Sequence, residues 1–507
     1  MGFRFFNRQR TETGFKENDN NMLLSKQLDA NTRELTELFE QPLNDDFVNR
    51  AVNIKTLDKK ARIFFINELV DPKVIEEFIL SPLTSKQTDP QKEMKSTLKE
   101  LLPIKEFKVA TELSDCVKGI NNGNTLLLIE GSEQGFLLDT TKLEHRNIDK
   151  PQSEVVIKGA NEGFVESVSV NKSLIRKQLR YEKLVTEKVQ LKTRANNTVS
   201  LMYVSDLVNE GVVEDVKSRL DRIEVDNIEN IALLEQHLEE RPYSLVPSIL
   251  YTERPDRAVS YMLEGHVVLL TENSPACLVV PVTFWSFFHT AEDSYQRWAY
   301  ANFIRFVRMF AFFIAIVTPS LYVAITNYHI EMLPTDLALA IAAKRETIPF
   351  PAIIEVLIME ASFELLREAG VRVPSPIGPT IGIVGALILG QAAVEANIVS
   401  PIMVIIIAIT GLASFAIPDN SLGFMARIIR FGVLFLAAIL GLFGIAIGII
   451  LGLAYLVSIR SFGVPFLSPA APSNKSSGDL LVRRTIRNQW FRPKNIKPQD
   501  VKRKGGG

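Results

Sequence analysis

Apolar and charged positions are mixed through the first 300 residues and then separate. In the amino-terminal part, charged residues recur every few positions and no uncharged apolar stretch is long enough to cross a bilayer. The stretches without charge come later, and there are four of them: 309–330, 373–394, 396–418 and 431–459. A hydrocarbon core of about 30 Å needs roughly 20 apolar residues in a helix. The pattern therefore predicts a soluble head followed by a helical membrane domain.

Strand-like and helix-like patterns alternate within the head. In its first part we predict a strand at 61–69, helices at 71–80 and 111–120, and a strand pair in TLLLIEG and GFLLDT. In its second part, the predicted strands are SEVVIKG, LVTEKVQLK, VSLMYVSDL, HVVLLTE and ACLVVPV. The predicted helices there are 171–180, 212–224 and 228–240. Alternation of this kind favours an α/β architecture.

These patterns divide the chain into five parts. The fold class is an α/β soluble head of two subdomains, followed by an α-helical transmembrane domain of four or five spans and a basic carboxy-terminal tail. The predicted parts are a mobile amino-terminal arm (1–40), a first α/β subdomain (41–150), a second α/β subdomain (151–300), the transmembrane domain (301–470) and the tail (471–507).

Composition and motifs exclude several classes of function. The net charge of −1 argues against a nucleic-acid-binding protein. The two cysteines, Cys116 and Cys277, cannot form a disulfide framework. The phosphate-binding, nucleophile-elbow and zinc-protease motifs are missing, and the five histidines show no metal-ligand spacing. The sequence therefore predicts a protein that is not an enzyme and that binds no metal and no cofactor.

Basic residues indicate the orientation in the membrane. Arg297, Arg305 and Arg308 precede the first apolar stretch, which places the head on the cytoplasmic side. The tail has ten lysines and arginines against two aspartates, and such a tail is attracted to anionic cytoplasmic lipid. A head and tail on one side require an even number of crossings. We predict four, with 431–459 as one tilted helix and 351–370 re-entrant or interfacial; a crossing by 351–370 would give five and an external tail.

A row of carboxylates makes 351–370 the most informative membrane segment. Its members are Glu355, Glu360, Glu364 and Glu368, at spacings of 5, 4 and 4. The last three lie within a stripe about 80° wide on a helix. Like charges at this spacing repel one another, whereas a water-filled pore would solvate them and a ring of carboxylates would favour cations. The row is therefore equally consistent with pore-lining residues and with an amphipathic surface helix in which Arg367 pairs with Glu364.

Two further motifs have both structural and functional interpretations. In TERPDRA (252–258), Thr252 or Glu253 would cap a helix that begins near Pro255. The functional alternative is that the charged members of the motif, Arg254, Asp256 and Arg257, dock the head on the membrane domain or on a neighbouring subunit. In the last apolar stretch, small residues at four-residue spacing predict close helix packing, within or between subunits, at Gly444, Gly448 and Gly452.

Aromatic residues cluster just before the first apolar stretch. They are Trp285, Phe287, Phe288, Tyr295, Trp298 and Tyr300. Tryptophan and tyrosine favour the layer between bilayer and water. The cluster therefore predicts an aromatic belt or an interfacial helix.

Several segments together resemble the A-subunit family of spore germinant receptors, the GerA family. In the head these segments are EVVIKGANEGFVESVSVNKSLIRKQLR (154–180), SLMYVSDLVNEGVVEDVKSRLDRIEVDNI (200–228), TERPDRA, LEGHVVLLTENSPACLVVPVTF (263–284) and AEDSYQRW (291–298). In the membrane part they are FPAIIEVLIMEASFELLREAGVRVP (350–374), QAAVEANIVSP (391–401) and IRSFGVPFLSP (459–469). The resemblance spans about 150–470, and the order of the segments makes it specific.

This resemblance implies a receptor subunit in the spore inner membrane that works with a B and a C subunit. It implies a homo-oligomer that opens an ion path for monovalent cations when a nutrient germinant binds, mainly in the B subunit. The implied ion path favours the pore interpretation of Glu355, Glu360, Glu364 and Glu368. In such a spore the cytoplasmic side predicted from the basic residues is the spore core, which head and tail would face. The basic tail predicts membrane lipids as further partners, and the net charge predicts no nucleic acid. The alternatives are a membrane-anchored scaffold without a pore and a solute transporter.

Overall fold

The computed structural model of the chain describes residues 22–85, 94–103, 107–142, 150–372, 385, 388–473 and 482–503. The first part of the head contains a five-stranded sheet with the order β1-β2-β4-β5-β3, and all neighbouring strands in it are antiparallel. Its strands are β1 (Phe47–Ile54), β2 (Lys59–Ile66), β3 (Phe107–Ala110), β4 (Asn124–Ile129) and β5 (Gly135–Asp139). The predicted strand at 61–69 and the predicted strand pair correspond to β2, β4 and β5.

Helices cover both faces of this first sheet. They are α1 (Leu28–Leu38), α2 (Pro72–Val74), which continues through a π-helical turn (Ile75–Leu80) into α3 (Ser81–Ser85), α4 (Met94–Leu101) and α5 (Leu113–Asn121). The prediction of a mobile arm is wrong for residues 22–40, the part of the arm that the structure describes. Leu28 and Leu35 of α1 are buried with Phe47 and Phe64 of the sheet, so this helix belongs to the core of the first subdomain.

The second part of the head contains another five-stranded antiparallel sheet, with the order β10-β12-β11-β8-β6. Its strands are β6 (Leu184–Gln190), β8 (Thr198–Val204), β10 (Leu250–Thr252), β11 (Val267–Thr271) and β12 (Cys277–Val280). A small parallel pair, β7 (Lys192–Thr193) with β9 (Glu224–Val225), lies outside it. The predicted strand SEVVIKG is wrong, because the structure places residues 153–159 in an irregular loop.

The helices of the second part lie near the predicted positions. They are α6 (Val168–Gln178), α7 (Glu210–Asp221), α8 (Ile231–Leu238), α9 (Pro255–Met262) and the short α10 (Glu292–Tyr295). One apolar core joins this sheet to the helical region beyond it, because residues such as Leu270, Phe287, Phe312 and Met425 are buried in the same cluster. Phe287 and Phe288 were predicted to lie in an aromatic belt; instead they fill this core.

The helical region forms a bundle. Its helices are α11 (Trp298–Tyr328), α12 (Thr335–Arg345), α13 (Ala352–Arg372), α14 (Ala393–Glu395), α15 (Pro401–Phe415), α16 (Asn420–Leu440) and α17 (Leu442–Ser458). Two of them, α11 and α16, are long and apolar enough to cross a membrane, and α15 and α17 are shorter apolar helices. Of the predicted apolar stretch 373–394, the structure describes only 385 and 388–394.

Contacts at both ends of the bundle give the direction of each helix. The α11 helix begins at the head and ends at Tyr328, whose hydroxyl donates to the carbonyl of Ala438 near the end of α16. The α13 helix begins at this far end, where Ala352 packs with Val323 of α11, and it runs towards the head. It therefore packs along the bundle over its length and does not lie apart from it as a separate surface helix.

The last apolar stretch is broken in two. Gly441 has a φ of 60°, a left-handed conformation that glycine adopts at little cost, and the helix ends there. The following helix returns along α16, since Gly444 lies against the backbone of Leu436 and Gly448 lies beside Val433. The predicted single tilted helix over 431–459 is therefore wrong, and these residues form a helical hairpin whose end comes back to the head.

The described part of the tail packs on the head. After a short hairpin, β13 (Arg460–Ser461) with β14 (Val464–Pro465), the chain continues beside the start of α11. The backbone nitrogen of Arg483 donates to the side chain of Asn302 (2.7 Å), and the guanidinium of Arg492 donates to the carbonyl of Leu263 (2.8 Å). Both arginines are buried. Part of the predicted basic tail is thus a component of the fold.

Candidate functional site

Two of the predicted pore-lining carboxylates bind arginines of a neighbouring helix inside the bundle. Glu360 lies 2.8 Å from the guanidinium of Arg430, and both side chains are 1% exposed. Glu364 accepts from Arg430 (3.1 Å) and from Arg427 (2.8 Å). We call these four residues, Glu360, Glu364, Arg427 and Arg430, the bundle charge cluster. It places two negative and two positive groups between α13 and α16, so the cluster carries no net charge.

The other two carboxylates of the row lie in different surroundings. Glu355 is fully buried at the far end of the bundle, accepts from the backbone nitrogen of Ser400 (3.1 Å) and lies 3.7 Å from Arg345. Glu368 is exposed and pairs with Arg372 at 2.7 Å, one turn further along α13. The four carboxylates therefore share one helix but occupy three environments within a single chain.

Arg367 takes a position that the carboxylate row did not predict. Its guanidinium lies between the rings of Phe363 (5.2 Å) and Phe415 (4.6 Å) and donates to the hydroxyl of Ser414. The expected pair with Glu364 is long, at 4.0 Å. A guanidinium between two aromatic rings is stabilised by cation–π attraction and fixes the spacing of the helices that carry the rings, here α13 and α15.

The three glycines at four-residue spacing in α17 differ in their surroundings. A Cβ atom on Gly444 would lie 2.0 Å from the carbonyl oxygen of Leu436, and one on Gly448 would lie 3.3 Å from Val433. A Cβ atom on Gly452 would have no neighbour within 4 Å. Gly444 and Gly448 thus permit close packing within one subunit, and packing between subunits at Gly452 stays a prediction.

Gly444→Ala is expected to destabilise the hairpin, and Gly452→Ala is its matched control. The added methyl at 444 meets backbone, which cannot rotate away, so the helices must separate at a cost of about 1–3 kcal/mol in the free energy of unfolding. At 452 alanine has room and a better helix propensity than glycine. Thermal unfolding of the full-length protein in detergent measures both changes. Equal midpoints for the two variants would contradict the close packing at Gly444.

The TERPDRA motif joins the head to the segment that leads into the bundle. Arg257 donates to Glu154 and to the carbonyls of Ser286 and His289 (3.3 and 2.8 Å), which precede α11. Burial alone would lower the pKa of Arg257, but the neighbouring charge of Glu154 outweighs it and raises that pKa. Arg257 therefore stays charged and holds α9 against the start of the bundle.

Arg254 and Asp256 complete this junction. Two guanidinium nitrogens of Arg254 donate to Asp256 (3.0 and 2.7 Å), and one also reaches the carbonyl of Ala160 (2.8 Å). Asp256 accepts from the hydroxyl of Tyr295 (2.7 Å), just before α11. The predicted capping by Thr252 or Glu253 is wrong, because Arg254 is the N-cap residue of α9 and no side chain caps it. Docking on a neighbouring subunit stays a prediction.

A buried charge network joins the two parts of the head, and the sequence did not predict it. Lys172 binds Asp46 (2.9 Å) and Glu68, and Arg176 binds Asp46 (2.9 Å) and Asn44 (3.2 Å). We call these five residues the head charge network. Lys172 and Arg176 lie four residues apart on α6, and their partners are more than 100 residues away along the chain.

Electrostatics favours the charged state of this network. Burial by itself would raise the pKa of Asp46, but the charges of Arg176 and Lys172 outweigh it and the pKa is lowered. Burial would likewise lower the pKa of Lys172, but Asp46 and Glu68 raise it. Asp46 and Lys172 are thus held in their charged forms, and the network fixes the two subdomains relative to each other.

Neither a metal centre nor a reactive cysteine emerges from the part of the chain that the structure describes. Its residues include no group of three or more histidine, cysteine, aspartate or glutamate side chains that could hold a metal ion. Both cysteines are buried, and burial raises the pKa of the Cys116 thiol to about 12. Head, bundle and charge clusters together define a protein of two parts, an α/β head on a helical bundle with helices of membrane-spanning length.

Comparison with known proteins places this architecture in a family. A sequence model described as Bacillus/Clostridium GerA spore germination protein matches residues 33–495. Spore germination protein KA of Bacillus subtilis is 37% identical over 493 residues, which cover 97% of this chain and 90% of the relative. Spore germination protein A1 of the same organism is 36% identical over 456 residues, or 89% of this chain and 92% of the relative. The chain belongs to the GerA family of spore germination proteins, as the resemblance in its sequence implied.

A solved structure is also similar to the head. It is the crystal structure of the N-terminal domain of the A subunit of the Bacillus megaterium spore germinant receptor GerK3. The match has a TM-score of 0.41 and 22% sequence identity, and it covers 54% of this chain and 99% of that domain.

Proposed function

We propose that the chain is the A subunit of a nutrient-responsive germinant receptor in the spore inner membrane, acting with B and C subunits. Membership of the GerA family supports this assignment. In this proposal the B subunit binds the nutrient, and head and tail face the spore core. Head and described tail meet at one end of the bundle, and the last helix returns to that end. This arrangement is consistent with a head and a tail that lie on the same side of the membrane.

We further propose that copies of the chain assemble around a path for monovalent cations and that α13 contributes the carboxylates Glu355, Glu360, Glu364 and Glu368. The observation that carries this proposal is the bundle charge cluster. Ionisable groups inside a membrane domain are costly and mark ion pathways. While Arg427 and Arg430 lie beside Glu360 and Glu364, the positive charges balance those of the carboxylates. A balanced cluster does not attract cations, which opposes their passage. The cluster therefore suits a closed path, and opening requires α13 and α16 to separate.

A scaffold without an ion path is the second candidate. The observation in its favour is that Arg430 lies within ion-pair distance of both Glu360 and Glu364, an arrangement that a static packing contact would also use. The two proposals differ in what happens when one charge is removed without breaking the cluster. A scaffold would keep its function, whereas a gated path would change its conductance.

Glu360→Gln tests the ion path. Glutamine keeps the shape of glutamate, and Arg430 retains Glu364 as a partner, so the bundle is expected to assemble. We expect monovalent-cation efflux after nutrient addition to change several-fold in rate or to change its ion preference. Spores carrying Glu395→Gln, an exposed carboxylate of α14 that is not part of the proposed path, serve as the matched control.

Protein levels in the spore membrane must be measured in the same strains. Normal efflux from Glu360→Gln spores with normal receptor levels would contradict a role for Glu360 in the path and favour the scaffold. The same comparison with Glu364→Gln tests the second carboxylate of the cluster.

A further inference from the structure

Two loops of the head expose large apolar side chains. In the loop 241–245, between α8 and β10, Tyr243 is fully exposed (100%) and Leu245 is also exposed. In the loop 153–159, Val155 is 78% and Ile157 is 88% exposed. Isolated exposed apolar residues are common, but their grouping on loops that adjoin a membrane domain calls for a partner.

The first loop is held at the end of the last bundle helix. The guanidinium of Arg241 donates to both the hydroxyl and the carbonyl of Ser458, each at 2.9 Å. It also lies over the ring of Tyr455, 5.6 Å from the centroid. Ser458 is the last residue of α17, so the loop lies level with the final turn of this helix.

The final turn of α17 is also where the hydrocarbon layer is expected to end. This helix has 17 residues without a charge, and at 1.5 Å per residue it is about 26 Å long, close to the hydrocarbon thickness of a bilayer. Its apolar side chains, such as Ile450 and Val457, are exposed on the bundle surface. Tyr243 is two residues from Arg241, a distance of about 7 Å at most along the chain. Its ring is thus within reach of the polar headgroup layer.

The second loop lies further from the bundle. A Cβ atom on Gly159 would lie 2.7 Å from the ring of Tyr295, so this loop touches the segment that enters α11. The part of α11 from Trp298 to Met309, where the apolar stretch starts, is about 16 Å long. The second loop therefore lies outside the layer that the first loop reaches.

We propose that the loop 241–245 binds the surface of the lipid bilayer. Tyr243 and Leu245 insert into the headgroup layer. Tyrosine suits this layer because its ring is apolar and its hydroxyl is polar. Lipid is chosen as the partner because Arg241 in this loop is hydrogen-bonded to Ser458, in the last turn of the apolar helix α17. This inference does not depend on the ion path.

A fluorescent label at position 243 tests lipid contact directly. Tyr243→Cys in the full-length receptor is labelled with a bimane dye and reconstituted in bilayers that contain nitroxide-labelled lipid headgroups. The native thiols Cys116 and Cys277 are buried and leave the new cysteine as the reactive one. We expect nitroxide lipid to quench the label several-fold more strongly than a label on Lys55→Cys. Lys55 lies in the turn between β1 and β2 of the first sheet. Among the described residues, the core that joins head and bundle begins at Phe164, so this turn is not part of it.

Ile157→Cys gives a second control, at an exposed apolar position on the loop that lies further from the bundle. Strong quenching at 243 with weak quenching at 55 and 157 supports the proposal. Equal quenching at all three positions would overturn it. A label at 243 that is shielded from water but not quenched by lipid would also overturn it, because a neighbouring protein would then cover the loop.

Discussion

Replacing Arg430 with alanine is expected to lower the free energy of unfolding of the bundle by about 3–5 kcal/mol, the usual cost of leaving one member of a buried ion pair without its partner. Glu360 would remain 1% exposed without the guanidinium that pairs with it. Glu364 would keep Arg427 as its partner, so the damage centres on Glu360. The measurement is the thermal midpoint of the full-length protein in detergent, together with its amount in the membrane.

Two further variants separate the ion pair from a general effect of mutation. Adding Glu360→Ala to Arg430→Ala removes the stranded charge and is expected to restore most of the loss, which is the sign of energetic coupling. Arg372→Ala breaks the exposed pair with Glu368 on the same helix and is expected to cost less than about 1 kcal/mol. Similar losses of unfolding free energy in Arg430→Ala and Arg372→Ala would show that the buried pair contributes no more to stability than the exposed one.

Local sequence patterns predicted most of the secondary structure of the head. Apolar runs bounded by turn residues located the strands β2, β4, β8 and β11, since burial within a sheet imposes that pattern directly. The same pattern failed in SEVVIKG, where Val155 and Ile157 are exposed and pair with no strand. Whether an apolar run becomes a strand depends on a neighbour with free backbone groups, and the run itself does not reveal that neighbour.

The bundle shows a second limit of local patterns. The stretch 431–459 is apolar throughout and looked like one long helix, yet the close contact of Gly444 with Leu436 makes it a hairpin. Spacing showed that Glu360 and Glu364 share a face, but their partners come from a helix more than 60 residues further along. Charge pairing between distant segments leaves no periodic signal, so the site could be located but its arginines could not be assigned.

The junction at TERPDRA gives a physical route between head and bundle. Arg257 and Asp256 hold α9 to the residues just before α11, and the apolar core is continuous across the same boundary. A large, mainly apolar interface resists independent motion of the two parts. A displacement of the second subdomain would therefore be transmitted to α11, and through the core it would also reach α16, which carries the arginines of the bundle charge cluster.

Replacing Asp46 with asparagine is expected to destabilise the head by about 3–5 kcal/mol, because Lys172 and Arg176 would remain buried without their shared carboxylate. Asparagine preserves the size of the side chain, so the loss reports the charge. Lys177→Ala on the same helix, α6, breaks the more exposed pair with Glu162 and is the matched control, with an expected change below about 1 kcal/mol. Equal effects of the two substitutions on the thermal midpoint would contradict the importance of the head charge network.

The pH dependence of stability gives an independent test of the same residue. The pKa of Asp46 is lowered in the folded protein, so its contribution is present above the unfolded value of about 3.9 and is lost as pH falls through the folded pKa. The raised pKa of Lys172 has the opposite sign, and its contribution is lost only as pH rises through a folded value above about 10.4. Wild type should therefore lose more stability than Asp46→Asn between pH 7 and pH 3. Parallel stability curves for the two proteins over this interval would show that Asp46 is not held in its charged form by Lys172 and Arg176.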